Sequence, residues 1–473
     1  MSGSEQPSRE ELVALIEQQA RLIAEQAARI DALQAEVTEL NRRLGRTSRN
    51  SSQPPSADGP SAPMPRSPRR RSGRNPGKQP GAGGVALLRV ENPDEVVEHV
   101  PQTCGGCGGG LADAAPVGVV RRQVHDIPTI TPRVVEHRLH QRRCGCGQVT
   151  SAAAPNGVSA PAVYGPNLRA LAAYLVVFQH LPVARAAQLI ADLTGARPST
   201  GWISSVLTTV ADVLVDIERL ITTLITLAHV IHVDETSSNI NGARWWLHVA
   251  CTDTLTAYHL HPSRGRAAVT EFGVLPAFAG TVVHDALSLY DAYPQARHAL
   301  CGAHLARELV AAAEAHPDLD WPDQALRALY GLNSAARQAR EQRQPQIPPE
   351  IAEPLLTSWR HAILVGLAEH RRRPGRKQSK TRNLLERLRD RDEQVLLFAR
   401  DLSVPFTNNQ AERDVRPTKT QMKISGCHRS ADTARAWLRI RGYISTVRKH
   451  GADVLTALRD AITGTPWTPP QPA

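Results

Sequence analysis

The segment from 229 to 295 constrains the fold most. It reads HVIHVD, then RWWLHVACT, then LTAYHLH, three short runs rich in Val, Ile, Leu and aromatic residues. Such runs are expected as successive strands. AAVTEFGVL follows with helical spacing, and GTVVHDAL returns to a strand. Strands, a crossover helix and a further strand specify a mixed α/β sheet. Asp234 is expected to end the first strand, and Asp285 the strand after the helix. A third acid, Glu412 in TNNQAERDVRPTK, falls at an expected helix start after Asn408 and Asn409, among Arg413, Arg416 and Lys419. Two carboxylates at strand ends and one on a helix can hold a pair of hard divalent ions, which favour oxygen ligands. Two such ions about 3.5–4 Å apart stabilise the attacking and leaving oxygens of a phosphoryl displacement. Spacing alone is weak evidence, because a single Asp at a strand end is more often a solvated turn residue.

The composition points to a polyanionic partner. The 473 residues leave room for several domains, and the net charge is +11 with a pI near 9.7. Arg carries most of the charge, and its planar fork suits bidentate phosphate contacts. MSGSEQPSREEL lacks the apolar core of a signal peptide. The most apolar stretch, near 213–231, is broken by Asp216, Glu218 and Arg219, so no membrane span is expected. The expected location is the cytoplasm, in association with the nucleoid.

Residues 9–45 place Leu12, Ile16, Gln19, Ile23, Gln26, Ile30, Leu33, Val37, Leu40 and Leu44 at alternating spacings of four and three. That is a heptad seam, expected as an N-terminal coiled coil that pairs copies of the chain. Residues 46–84 are rich in Pro, Ser, Gly and Arg and are expected to be a disordered basic linker. Its Arg69, Arg70 and Arg71 suit non-specific phosphate contact. Residues 85–155 hold Cys104 and Cys107 in TCGGCGG, and Cys144 and Cys146 in RRCGCGQ. Four thiols in close pairs suit tetrahedral structural zinc in a small β unit. The tighter second pair leaves His137 or His140 open as a substitute ligand. Arg121, Arg122, Arg138, Arg142 and Arg143 surround the unit.

Residues 156–228 read as a helical region, in which STGWISSVL is a weak candidate for a DNA-reading helix. Residues 229–463 form the expected catalytic domain, with a helical insertion at about 296–400 and a disordered tail at 464–473. Cys301 and His304 lie one helical turn apart; by spacing they are either metal ligands or packing residues.

The words HVDETS, RWWLHVACTD, SRGR, HDALSLYDAY, CGAHLARELV, NNQAERDVRPTK and SGCHRS form an ordered series along the chain. That series resembles the transposases of insertion sequence family sixty-six over nearly the whole length. The resemblance implies a ribonuclease H-like catalytic domain whose DDE triad is Asp234, Asp285 and Glu412, holding magnesium or manganese. It implies a zinc-binding domain at the four cysteines, although that family usually has two residues between the second pair. It makes Cys301 and His304 site-shaping residues. DNA, as element ends and target, is the implied partner, with accessory proteins of the element. Arg416, Lys419 and Lys423 join Arg69, Arg70 and Arg71 as DNA-contact candidates. Two alternatives stay open: a DNA-binding regulator without catalysis, and a metal-dependent nuclease that cleaves without joining.

Overall fold

A computed structural model describes residues 9–44, 47, 50, 87–375 and 377–470. The basic linker, Arg69, Arg70 and Arg71 included, lies outside the described residues except for Thr47 and Asn50. The helix α1 (Arg9–Leu44) is continuous over 36 residues. Its seam residues Ile16, Ile23, Ile30, Leu33, Val37 and Leu40 are all exposed. This apolar stripe therefore packs on nothing among the described residues.

Residues 87–162 are almost entirely exposed, the valines at 117 and 124 included. Their regular structure is the antiparallel pair β1 (Gln141–Arg143) and β2 (Val149–Ser151). A segment without an apolar core needs another organising centre, and a bound metal is the usual one.

The helices α2 (Pro166–Ala173), α3 (Val183–Thr194), α4 (Thr200–Val213) and α5 (Val215–Thr226) follow. Ser199 caps α4 by accepting from the Trp202 amide, which fixes the start of the STGWISSVL helix. Among the described residues no single helix is long and apolar enough to cross a membrane; α4 and α5 together pass by length and composition but are bent by 50°.

The sheet comes next: β3 (Val230–Ile240), β4 (Ala243–Cys251), β5 (Thr256–His261), the short helices α6 (Arg266–Phe272) and α7 (Val274–Ala277), then β6 (Thr281–His284) and β7 (Arg297–Leu300). The strand order is β5-β4-β3-β6-β7. The first three strands are antiparallel neighbours, while β6 and β7 add in parallel. The mixed α/β sheet read from the sequence is therefore present, with one correction. Asp234 does not end its strand. It pairs with Val249 in mid-strand, and β3 runs on to Ile240 against β4. The reason is the Asn241-Gly242 turn, with φ of 47° and 84° at its two residues. Left-handed backbone at both positions is what a tight two-residue hairpin requires.

A helical block then interrupts the sheet domain: α8 (Gly302–Ala315), α9 (Trp321–Glu341), α10 (Pro349–Glu369), α11 (Lys380–Asp390), α12 (Asp392–Val395) and α13 (Leu397–Arg400). It has its own core around Trp321, Leu329, Trp359, Leu385 and Phe398. Within the stretch expected from about 296, Arg297–Leu300 is a sheet strand and the helices begin after it. The last part of that stretch is three short helices rather than one.

The chain closes with α14 (Asn409–Ser425), α15 (Ala431–Lys449) and α16 (Val454–Ile462). The helix α15 packs along β5, where the Thr256 amide donates to Thr446 Oγ1 at 3.1 Å. The tail was expected to be without structure from 464. Instead Trp467 packs on His450, with ring centroids 5.3 Å apart.

Candidate active site

The helix α14 lies along β3, and the match of lengths explains how it brings Glu412 to Asp234. Asn408 Nδ2 donates to the Val233 carbonyl at 2.7 Å. Farther along, Lys419 Nζ donates to the Ser237 carbonyl at 2.7 Å. Eleven residues of helix rise about 16 Å, and four residues of strand about 13 Å, so helix and strand stay in step. Asn408 also contacts His232 Nδ1 through Oδ1 at 3.0 Å, and its backbone amide donates to Cys301 Sγ at 3.2 Å. One buried residue thus joins β3, α14 and the start of α8, the first through its side chain and the last through its backbone amide. On the other side of α14, Asp414 receives Lys449 Nζ at 2.8 Å and Thr256 Oγ1 at 3.2 Å.

The three acids share one electrostatic neighbourhood. Burial pushes the Asp234 carboxyl well above the ordinary carboxylate range, and the charges of Glu235, Asp285 and Glu412 push it further. The Glu235 amide, 2.9 Å from Asp234 Oδ1, opposes them. Asp285 directly follows β6, as expected, and its Oδ1 accepts from the Leu287 amide at 3.1 Å. Ala286 takes φ 73°, a left-handed turn that costs a non-glycine residue about 1–3 kcal/mol. The turn is held by His284, whose Nδ1 accepts from the Ala286 amide at 3.2 Å. That leaves His284 Nε2 to donate to His298 Nδ1 at 3.1 Å, and His298 Nε2 to the Tyr293 carbonyl at 3.1 Å.

Glu412 sits in the first turn of α14. Its Oε1 is 3.7 Å from Arg307 Nη2 and 3.8 Å from His304 Nδ1. Arg416, expected as its neighbour one turn on, is exposed and is not among its ion-pair partners; two side chains from α8 take that place. His304 is held below its usual pKa by burial and then by Arg307. Burial raises the Cys301 thiol. The buried atoms Glu412 Oε1 and His304 Nδ1 have no hydrogen-bond partner. Cys301, His304 and Glu412 place their donor atoms within 4.8 Å of one another; among the described residues no other group of three or more metal-ligating side chains does so. Asp234, Asp285 and Glu412 do not form such a group.

A hard divalent cation fits this acidic cluster. It would offset the burial and like-charge repulsion that raise the Asp234 carboxyl. Asp234, Asp285 and Glu412 are the side chains able to hold it.

Several residues that the sequence reading passed over complete the site. Glu235 accepts from Arg264 Nε at 3.1 Å and from Tyr290 Oη at 2.5 Å. The Arg264 guanidinium lies 4.9 Å above the Trp246 ring. Asn408 and Arg307 were also missed. The only sequence signal for Asn408 was its place before a helix. Of the DNA-contact candidates within the described residues, Arg416 and Lys423 are exposed, whereas Lys419 is committed to β3.

The zinc-unit thiols form two local pairs. Cys104 accepts backbone hydrogen bonds from Cys107 and Gly106, and Cys144 from Cys146; both thiols are lowered from their ordinary pKa. Such thiols are suited to become metal-bound thiolates. Among the described residues no three of the four thiols share one 4.8 Å cluster, nor does His137 or His140 join either pair.

Three family matches cover most of the chain. Residues 161–436 match the family described as Transposase IS66 family. Residues 101–147 match the zinc-finger binding domain of transposase IS66. Residues 3–87 match a family of unknown function. No curated protein matches the chain. The first match spans more than half of the 473 residues, and with the zinc-finger match beside it the chain belongs to the IS66 transposase family.

Proposed function

We propose that the protein is a DDE transposase that cleaves DNA at the ends of an insertion sequence and joins the freed 3′ hydroxyl to target DNA. The observation that carries this reading is the electrostatic coupling of Asp234 to Asp285 and Glu412 within a chain of this family. On this reading the sheet with its acids is a ribonuclease H-like catalytic domain interrupted by a helical insertion. Asp234, Asp285 and Glu412 hold magnesium or manganese, which when bound neutralises charge on the reacting phosphate and its attacking and leaving oxygens.

The chain's own residues do the rest. Burial and the charges of Glu235, Asp285 and Glu412 raise the Asp234 carboxyl, so a cation beside it is favoured. Asn408 fixes α14 in register with β3, which sets the distance from Glu412 to Asp234. The turn at Ala286 aims Asp285. Arg307 flanks Glu412 with positive charge that favours a phosphate nearby. Arg416 and Lys423 extend that charge along the exposed side of α14.

The remaining regions serve the DNA. The basic linker with Arg69, Arg70 and Arg71 contacts phosphates non-specifically. The finger at Cys104, Cys107, Cys144 and Cys146 closes around zinc and helps to hold element ends. The exposed stripe of α1 pairs two copies in a coiled coil, so that both ends are processed together. The site of action is nucleoid DNA in the cytoplasm, with accessory proteins of the element where they are encoded.

The test is metal-dependent cleavage of a labelled duplex carrying the element's end. The intact chain is expected to cleave, and Asp234→Asn to lose cleavage while keeping its circular dichroism spectrum. An Asp234→Asn chain that cleaves at the parent rate would remove the assignment. Cleavage without any joined product would make the protein a nuclease.

A further inference from the structure

We infer that Cys301, His304 and Glu412 form a binding site for one borderline transition-metal ion of the zinc or cobalt(II) class, where α8 meets α14. The site shares Glu412 with the proposed reaction but does not depend on that reaction.

The geometry carries the inference. Cys301 Sγ, a His304 ring nitrogen and a Glu412 carboxylate oxygen lie within 4.8 Å of one another. His304 Nδ1 and Glu412 Oε1 are 3.8 Å apart, and both atoms are buried without a hydrogen-bond partner. Burying a polar atom without a partner is costly, so two that converge on one point call for an occupant. Arg307 does not supply it, because at 3.7 Å it is beyond hydrogen-bond range of Glu412.

The donors are also held in place. The Gly302 amide donates to the Phe406 carbonyl at 2.8 Å, and a methyl group on Gly302 would overlap the Phe406 ring. The start of α8 therefore cannot drift. The Asn408 amide ties Cys301 to the start of α14 at 3.2 Å. A site whose ligands sit on two mutually fixed helix starts is preorganised.

The donor chemistry selects the ion. Magnesium and calcium take oxygen ligands, whereas zinc takes thiolate, imidazole and carboxylate at about 2.0–2.3 Å. Three protein ligands leave a fourth position open. Thiolate and carboxylate together neutralise a divalent charge, which suits a buried position. The bound ion would fix Glu412 to α8 whether or not the hard-ion site is filled.

The test uses the full-length chain, stripped of metal and titrated with cobalt(II) chloride. Sulfur-to-cobalt charge-transfer absorbance in the near ultraviolet and the visible bands follow uptake. The finger cysteines are present in every sample and cancel in the comparison. The parent is expected to bind one thiolate-ligated equivalent more than the finger takes, read from its single-thiolate charge-transfer band. Cys301→Ser and His304→Gln should each lose it. A parent that saturates with the finger's spectrum alone overturns the site, whatever the variants do. Equal uptake by the parent and both variants also overturns it. The proposed reaction fails separately. Asp234→Asn is expected to keep the cobalt equivalent, so full cleavage by that variant would sink the reaction and leave this site standing.

Discussion

Replacing Asn408 by alanine removes two hydrogen bonds at the point where β3 meets α14. The donation from Nδ2 to the Val233 carbonyl at 2.7 Å is lost, and so is the contact of Oδ1 with His232 Nδ1 at 3.0 Å. The backbone donation to Cys301 Sγ remains. Asn408 is 1% exposed and His232 5%, so water does not readily replace the lost partner. Each stranded buried group costs about 1–3 kcal/mol, so the pair amounts to about 2–6 kcal/mol. Relaxation around a side chain this small favours the lower half of that range. The assay is urea unfolding of the metal-free full-length chain, followed by tryptophan fluorescence. The midpoint should fall without a change of slope. Strand cleavage should fall further than stability does. A displacement of about 1 Å at a reacting group can cost roughly 100-fold in rate, and Asn408 sets the register of Glu412. A stability within about 0.5 kcal/mol of the parent, the range of an ordinary surface change, would refute the role given to Asn408.

Three further outcomes are expected. Gly302→Ala forces a methyl group onto the Phe406 ring; overpacking of this kind costs about 1–3 kcal/mol and should show as a lower thermal midpoint together with weaker cleavage. Asp234 has a folded pKa above its unfolded one, so the folded chain holds the extra proton between the two values. The stability of metal-free protein therefore falls as pH rises from the unfolded value near ~3.9 through the folded pKa. Asp234→Asn removes that window, and its advantage in urea should grow with pH; a constant offset would contradict the coupling. Deleting residues 1–45 should turn a sedimenting dimer into a monomer, since the apolar stripe of α1 has no partner among the described residues; an unchanged dimer would refute the coiled coil.

The sheet was legible because its strands carry dense Val, Ile and aromatic runs, and the acids because they border those runs. The extension of β3 past Asp234 was hidden by the polar Glu235, Thr236, Ser237, Ser238 and Asn239, which stay in the strand through pairing with β4. The Asn241-Gly242 dipeptide was the signal that could have revealed it. The strand β7 has four residues, too few for any periodicity. Glu412 could be placed at a helix start from sequence, but its neighbours could not. Arg307 and His304 come from α8, and Asn408 reaches a carbonyl 175 residues away in the chain. Such partners follow from tertiary packing. The contact of Trp467 with His450 in the tail had no sequence signal beyond one tryptophan in a run of prolines and threonines.

The measurement closest to the central claim is joining of a labelled element end to target DNA with magnesium, comparing the intact chain with Glu412→Gln. The account predicts joined product from the intact chain and none from the variant, with both chains equally folded. Equal joined product from both would contradict it.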